Sequence, residues 1–292
     1  MTGVAPRSGL TILGIRFDNP ILLAAGTAGF GRELDGTIDL DRLGGIVTKA
    51  VSLEPRSGNP APRVGEFPGG MINSVGLANP GVDHVARHDL PWLADRLQRA
   101  RVIVNVVGFV EDEYARVIER LDSSPTISAY EINLSCPNTS SGGIEFGADP
   151  EAVRGVLARA RAATGRPLFA KLSPALADLP GLAAAAVEGG AAGISVVNTM
   201  PGMIYEQDHP RLGQGNGGVS GPALLPVGIL ATARVRRRLP DTPIIGLGGI
   251  RTLAHVDDYL RAGANLVAIG TAGLADPRLP VRLAMAWERR GG

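Results

Sequence analysis

A chain of 292 residues with 45% hydrophobic content can bury a full core, and at that size an α/β barrel still counts as one unit, so residues 1–292 are read as a single domain. The formal charge is +1 with acidic and basic residues interspersed, which argues against a nucleic-acid groove or a polybasic membrane patch and in favour of small-molecule chemistry. The opening MTGVAPRSGL lacks a signal-peptide core, and no segment reaches the roughly 20 apolar residues of a membrane span, so a cytoplasmic protein is expected. Cys136 is the one cysteine, which excludes an internal disulfide and any cysteine-ligated cluster or zinc centre built from this chain alone. No metal site is expected, and electron transfer through a metal centre would need a partner.

In chain order, Leu10–Phe17 alternates apolar residues across Gly14 and predicts a small hairpin over the bottom of a barrel. Short aliphatic and β-branched runs follow at Ile21–Ala25, Gly45–Lys49, Val102–Val106, Tyr130–Leu134, Leu168–Leu172, Gly193–Val197, Ile244–Leu247 and Leu266–Ile269. Between them, apolar residues at helical spacing predict helices over Glu111–Leu121, Pro150–Ala163, Gly181–Glu188, Leu225–Arg238 and Leu253–Ala262. This alternation predicts a closed (β/α)8 TIM barrel; an open doubly wound sheet is the runner-up, because strand order is not written in the sequence. Val51–Gly81 and Met200–Ser220, rich in Gly, Pro and Asn, are expected to be irregular loops after the carboxyl ends of strands, where a barrel builds its active site.

Only Lys49 and Lys171 break an otherwise all-arginine set of 29 basic residues, and both stand at the carboxyl ends of predicted strands. An ammonium is a compact donor that can point at one atom of a ring, whereas a guanidinium is a broad fork. The alternative for each is a lysine that snorkels to solvent or closes an ion pair. Asn105, Asn133 and Asn198 also fall at strand ends, and their amides suit a ring with alternating N–H and C=O groups; singly, any of them could merely cap a turn. IIGLGGIRT and LVAIGTAG put Gly248, Gly249, Gly270 and Thr271 at the last two strand-to-loop transitions, with Gly221 ahead of a predicted helix. This is the usual phosphate seat of a barrel and points to a mononucleotide.

Cys136 lies in EINLSCPNTSSGGIEFG, in a loop bounded by Pro137, Gly142 and Gly143 and among Asn133, Ser135 and Asn138. A free cysteine is usually a small core residue; here a thiol presented to substrate could act as a general base. NLSCPN, together with NSVGLANPG at Asn73–Gly81, TKA at Thr48–Ala50 and the terminal GGI and GT, resembles the dihydroorotate dehydrogenase family over nearly the whole chain. Cysteine at this position is similar to the soluble class 1 enzymes, and SSGGIEFG to the class 1B catalytic subunit.

The resemblance implies FMN-dependent oxidation of dihydroorotate to orotate in pyrimidine biosynthesis, with Cys136 taking the proton from C5 while hydride leaves C6 for N5 of FMN. It implies that Lys49, Asn73, Ser74, Val75, Gly76, Leu77, Asn133, Asn198 and Thr199 surround the substrate. It implies that Ala25, Lys49, Ala50, Asn105, Asn133, Lys171, Val197, Gly221, Gly248, Gly249, Gly270 and Thr271 meet the flavin, Lys171 stabilising the charge that reduction delivers. Ala25 departs from the serine common in the family, and Thr139–Ser141 is only loosely like its usual loop. The resemblance further implies a homodimer, joined in a heterotetramer by an electron-transfer subunit with FAD and an iron–sulfur cluster that reduces NAD⁺. A class 1A-type enzyme using fumarate is the near alternative. A non-redox Schiff-base lyase built on Lys49 or Lys171, or a catalytically dead binding barrel, belongs to other classes.

Overall fold

The computed structural model describes residues 9–135, 137–138 and 144–290. Eight short strands form its centre: β1 (Ile21–Leu23), β2 (Gly45–Val47), β3 (Arg101–Val106), β4 (Ile127–Asn133), β5 (Leu168–Leu172), β6 (Gly193–Val196), β7 (Ile244–Leu247) and β8 (Leu266–Ile269). Each pairs in parallel with its neighbours in sequence, and β8 closes onto β1 through the register Ile269↔Leu23. The fold is therefore the closed (β/α)8 barrel and not the open sheet.

The strands read as unbroken apolar runs because both of their faces are covered. Outward residues such as Ile21, Val104, Ile132 and Ile194 pack under the helices, while Leu22, Val47, Ile103, Ala129, Phe169, Ile245 and Leu266 fill the barrel interior. Helices Glu111–Leu121 and Leu225–Arg238 have the expected bounds; Pro150–Ala162, Leu179–Glu188 and Leu253–Arg261 differ by a residue or two at one end. Asp149, Asp178 and Thr252 cap the last three by accepting backbone N–H groups. Helices at 82–96 and Leu279–Arg289 were not among the expected elements.

Four strands end earlier than expected: β1 at Leu23 instead of Ala25, β2 at Val47 instead of Lys49, β4 at Asn133 instead of Leu134, and β6 at Val196 instead of Val197. Beyond these ends a last backbone bond still joins each to a neighbour, from Ala24 N to Ile269 O, Thr48 N to Ile103 O, Leu134 N to Lys171 O and Val197 N to Leu247 O. Ala25, Lys49 and Val197 are left at the rim. Strand β4 also begins earlier, at Ile127, because Ile127 and Ala129 pair with β3 across a register shift after Val102.

The expectation of two irregular loops is corrected. Strands Val64–Phe67, Gly70–Asn73, Met200–Gly202 and Gly217–Ser220 join in one antiparallel sheet, in the order Met200–Gly202, Gly217–Ser220, Gly70–Asn73, Val64–Phe67. It roofs the mouth, since its segments leave the carboxyl ends of β2 and β6. Glycine makes the close approach possible: a Cβ on Gly217 would run into the backbone of Asn73.

The opposite end is plugged by the expected hairpin, Leu10–Ile12 against Ile15–Phe17. Ile12 and the fully buried Phe17 join the interior cluster beneath Leu22 and Phe169. Buried Asn19 accepts the N–H groups of Ile21 and Gly44 and donates to Arg42 O and Glu288, tying the plug to β1, β2 and the last helix. Asp41 does similar work ahead of β3, where its Oδ1 accepts from Gln98, Arg99 and Ala100 N. Burial pushes this carboxyl up, but those three backbone bonds and Arg99 bring it below its ordinary value. Phe17→Ala should remove the plug's main apolar contact and cost about 3–5 kcal/mol, the usual range for deleting a buried phenyl group, read as a fall in the guanidinium midpoint at unchanged slope.

Candidate active site

Side chains alternate along each strand, so every second residue faces the barrel interior. Below the rim these positions are apolar. The uppermost tier is polar instead: Asn105 on β3, Glu131 on β4, Lys171 on β5 and Ser195 on β6, all buried. Glu131 is 0% exposed, and its Oε1 accepts both Lys171 Nζ at 3.1 Å and Asn105 Nδ2 at 2.7 Å. The ion pair held open as an alternative for Lys171 is thus present, on the residue's inner side. Asn105 Oδ1, Glu131 Oε2 and Ser195 Oγ are buried with no hydrogen-bond partner among the described residues.

A continuous set of contacts leads from this tier to the roof. Asn105 N donates to Thr48 Oγ1, whose hydroxyl donates to Lys49 O, which fixes the start of the β2 loop. Asn133 stands in register with Lys171. Its carbonyl accepts Tyr114 OH at 2.9 Å, and its side-chain oxygen accepts Asn198 Nδ2 at 3.2 Å. Asn198 Oδ1 accepts Thr199 N, Thr199 lies against Gly218, and Gly218 O accepts Asn73 Nδ2 at 3.3 Å. Among the described residues no carboxylate pairs with the half-buried Lys49.

The glycine segments meet on the other side of the mouth. Gly221, Gly248 and Gly249 have φ of 100°, 119° and 71°, conformations that favour glycine. A Cβ on Gly249 would lie 2.7 Å from Leu225 N, and one on Gly221 would lie 2.9 Å from Gly70 Cα. Thr271 Oγ1 donates to Ser220 Oγ at 2.8 Å, joining the β8 loop to the roof. Tyr259, which the sequence reading passed over, supports this seat from below: its OH reaches Leu247 O and Gly248 O at 2.7 and 2.8 Å. Burial pushes its phenol pKa up, so it stays a donor. Backbone lined by glycine next to a helix start can wrap a phosphate, and an orphaned acceptor beside a lysine can meet an imide-bearing ring; both features fit a flavin mononucleotide.

Ala25, Lys49, Ala50, Asn105, Asn133, Lys171, Val197, Asn198, Gly248, Gly249, Gly270 and Thr271 all stand at the carboxyl ends of barrel strands. Asn73 and Thr199 come together on the roof. The remaining roof residues are engaged locally: Ser74 Oγ accepts from Asn59 Nδ2, Val75 O accepts from Asn59 N, and Gly76 backs onto Asn59. Leu77, at φ 58°, gives its carbonyl to Asn79. Cys136 lies outside the described residues. Glu131 and Asn79 were missed as well. The signal for Glu131 was an ionisable residue at inward parity in AYEIN; for Asn79 there was only its place in NSVGLANPG.

A model of the family described as dihydroorotate dehydrogenase matches residues 9–286. The chain belongs to the dihydroorotate dehydrogenase family. It is therefore an oxidoreductase of a flavin-dependent family. Among curated relatives, "Dihydroorotate dehydrogenase B (NAD(+)), catalytic subunit" of Desulforudis audaxviator is 44% identical over 97% of this chain and 92% of its own length. The protein of the same name from Listeria welshimeri is 42% identical over 95% and 93%. The resemblance read from NLSCPN and its companion segments is borne out. A crystal structure of dihydroorotate dehydrogenase from Eimeria tenella, in complex with ferulenol, superposes with a TM-score of 0.79 at 24% identity over 95% of this chain and 82% of that one, in keeping with the barrel fold.

Within this dihydroorotate dehydrogenase family member, Asn79 fixes both ends of the roof segment. Its Oδ1 accepts Ser52 N and Gly81 N, and its Nδ2 donates to Ser52 Oγ and Leu77 O. Asn79→Ala should cost about 1–3 kcal/mol for each buried group left unpaired, read by denaturant unfolding, and should raise amide exchange across residues 73–81 before that of the barrel strands.

Proposed function

We propose that this chain is the FMN-binding catalytic subunit of a B-type dihydroorotate dehydrogenase, oxidising dihydroorotate to orotate and passing electrons to a partner that reduces NAD⁺. The observation that carries the reading is the sharing of one barrel rim by two lysines, three asparagines and a glycine-built seat, in a chain 39–44% identical to catalytic subunits of that name. The relatives' name supports the partner, and its FAD and iron–sulfur cluster are what the resemblance to class 1B enzymes implies; the single cysteine here agrees with a cluster housed in another chain. The enzyme works as one domain in the cytoplasm, as a homodimer within a heterotetramer.

Gly221, Gly248, Gly249, Gly270 and Thr271 hold the phosphate of FMN through backbone N–H groups; Ala25, Ala50, Asn105, Asn133, Lys171 and Val197 hold its ring and chain. The flavin, when bound, supplies the two-electron acceptor for the hydride leaving C6 of the substrate. Lys49, with no carboxylate partner among the described residues, offers its charge to the substrate carboxylate, while Asn73, Asn133, Asn198 and Thr199 pair with the ring amides. Ser74, Val75, Gly76 and Leu77 shape the roof above it. Cys136 takes the proton from C5, and returning that proton to solvent resets the thiolate.

Anaerobic mixing with dihydroorotate should bleach the visible band of the bound flavin; a chain that stays yellow is no dihydroorotate dehydrogenase. Cys136→Ala should keep its FMN yet reduce it about 10²–10⁴-fold more slowly, the usual worth of a general base. Lys49→Ala should lower kcat/KM at least about tenfold, the lower bound for losing a hydrogen bond to a charged group, with both KM and the reduction rate affected.

A further inference from the structure

The flavin reading leaves the buried carboxylate of the site, Glu131, unused. Glu131 is fully enclosed in the barrel, two residues before Asn133 on the same strand, with no exposure to solvent. Burying a carboxylate is costly unless it is paired, and a buried pair contributes little net stability over an apolar one; its better attested use is to fix one arrangement of polar groups. Glu131 has the geometry for that use. A single oxygen, Oε1, accepts from both Lys171 Nζ and Asn105 Nδ2, while Asn105 Oδ1 is buried with no partner among the described residues.

The chemistry of the carboxylate decides the outcome. An ionised carboxylate only accepts, so the amide of Asn105 must turn its nitrogen to Glu131 and leave its oxygen as an acceptor. Lys171 commits one N–H to the same oxygen and keeps two in reserve. The result is a fixed acceptor beside a fixed cationic donor at the floor of the mouth, the complement of an N–H next to a C=O.

We propose that Glu131 is a positioning residue for the cofactor: by holding Lys171 and Asn105 through one oxygen, it sets the donor and acceptor that read the imide edge of the flavin. This inference rests on the FMN reading above. Glutamine at 131 would keep the volume but could donate as well as accept, so the amide of Asn105 would lose its enforced orientation and Lys171 its counter-charge.

Apoprotein of the wild type, Glu131→Gln, Lys171→Met and the double variant would be titrated with FMN by flavin fluorescence, then reloaded and mixed with dihydroorotate. Glu131→Gln should bind FMN at least about tenfold more weakly, as expected for a lost hydrogen bond to a charged group. Its bound flavin should be reduced more slowly while KM for dihydroorotate stays within about twofold, a split that general loosening of the fold would not give. In the Lys171→Met background, adding Glu131→Gln should still cost FMN affinity, but less than it does in the wild type, because only its hold on Asn105 remains to be lost. The double variant carries the test if Glu131→Gln fails to fold, since it buries no lone charge. Wild-type affinity and reduction in a folded Glu131→Gln, or fully additive losses in the double variant, would overturn the proposal. A wild-type chain that binds no FMN would instead sink the flavin reading itself.

Discussion

Closure of eight parallel strands fixes where polarity can go. Every second side chain is forced inward, and the bottom of the barrel is stoppered by Phe17, so the interior must be apolar except where it opens at the carboxyl end. Asn105, Glu131, Lys171 and Ser195 occupy that last inward tier. Parallel pairing then brings groups far apart in sequence to one level, as with Lys171 beside Asn133 on one side and Ser195 on the other. The position of the site is thus a consequence of register, and the roof and glycine seat are built around it.

Buried charge shapes the tier from within. Lys171 and Glu131 neutralise each other in a space almost closed to solvent, and Asn105 shares the same oxygen. Such a cluster is stiff, because a change in one member leaves another unpaired at a cost comparable to a whole hydrogen bond. Stiffness here suits a site that must present fixed dipoles, since preorganised groups need not reorganise as charge develops. Asn133 extends the rigidity outward through Tyr114 and Asn198, and Thr199 and Gly218 hand it on to Asn73.

Much of this was legible in the sequence where the signal is local. Strands β5, β7 and β8 and helices Glu111–Leu121 and Leu225–Arg238 fall where aliphatic runs and helical spacing put them, and the hairpin over the barrel bottom followed from alternation across Gly14. What was not legible depends on contacts between distant segments. The roof sheet pairs Asn73 with Gly218, 145 residues on, through short glycine-rich strands that carry no β signal of their own. Glu131 was hidden differently: an acid two residues before Asn133 in a short expected strand looks solvated until closure of the barrel turns it inward. Tyr259 went unnoticed because the room it occupies is made by Gly228 and Gly246, whose missing side chains only the packed structure explains.

The two lysines can now be set against the 27 arginines. At position 171 the side chain is 7% exposed and meets a single carboxylate oxygen already shared with Asn105. A guanidinium there would bring five N–H donors in a rigid plane to a place that offers one acceptor, leaving several buried and unpaired, whereas an ammonium can satisfy Glu131 and still turn its remaining hydrogens toward a ring above. At position 49 the constraint is different, because no carboxylate pairs with it among the described residues and its charge stays available at the rim. A chain that otherwise uses arginine for its surface ion pairs keeps lysine at the two places where a compact cation, aimed at one atom, is what the geometry requires.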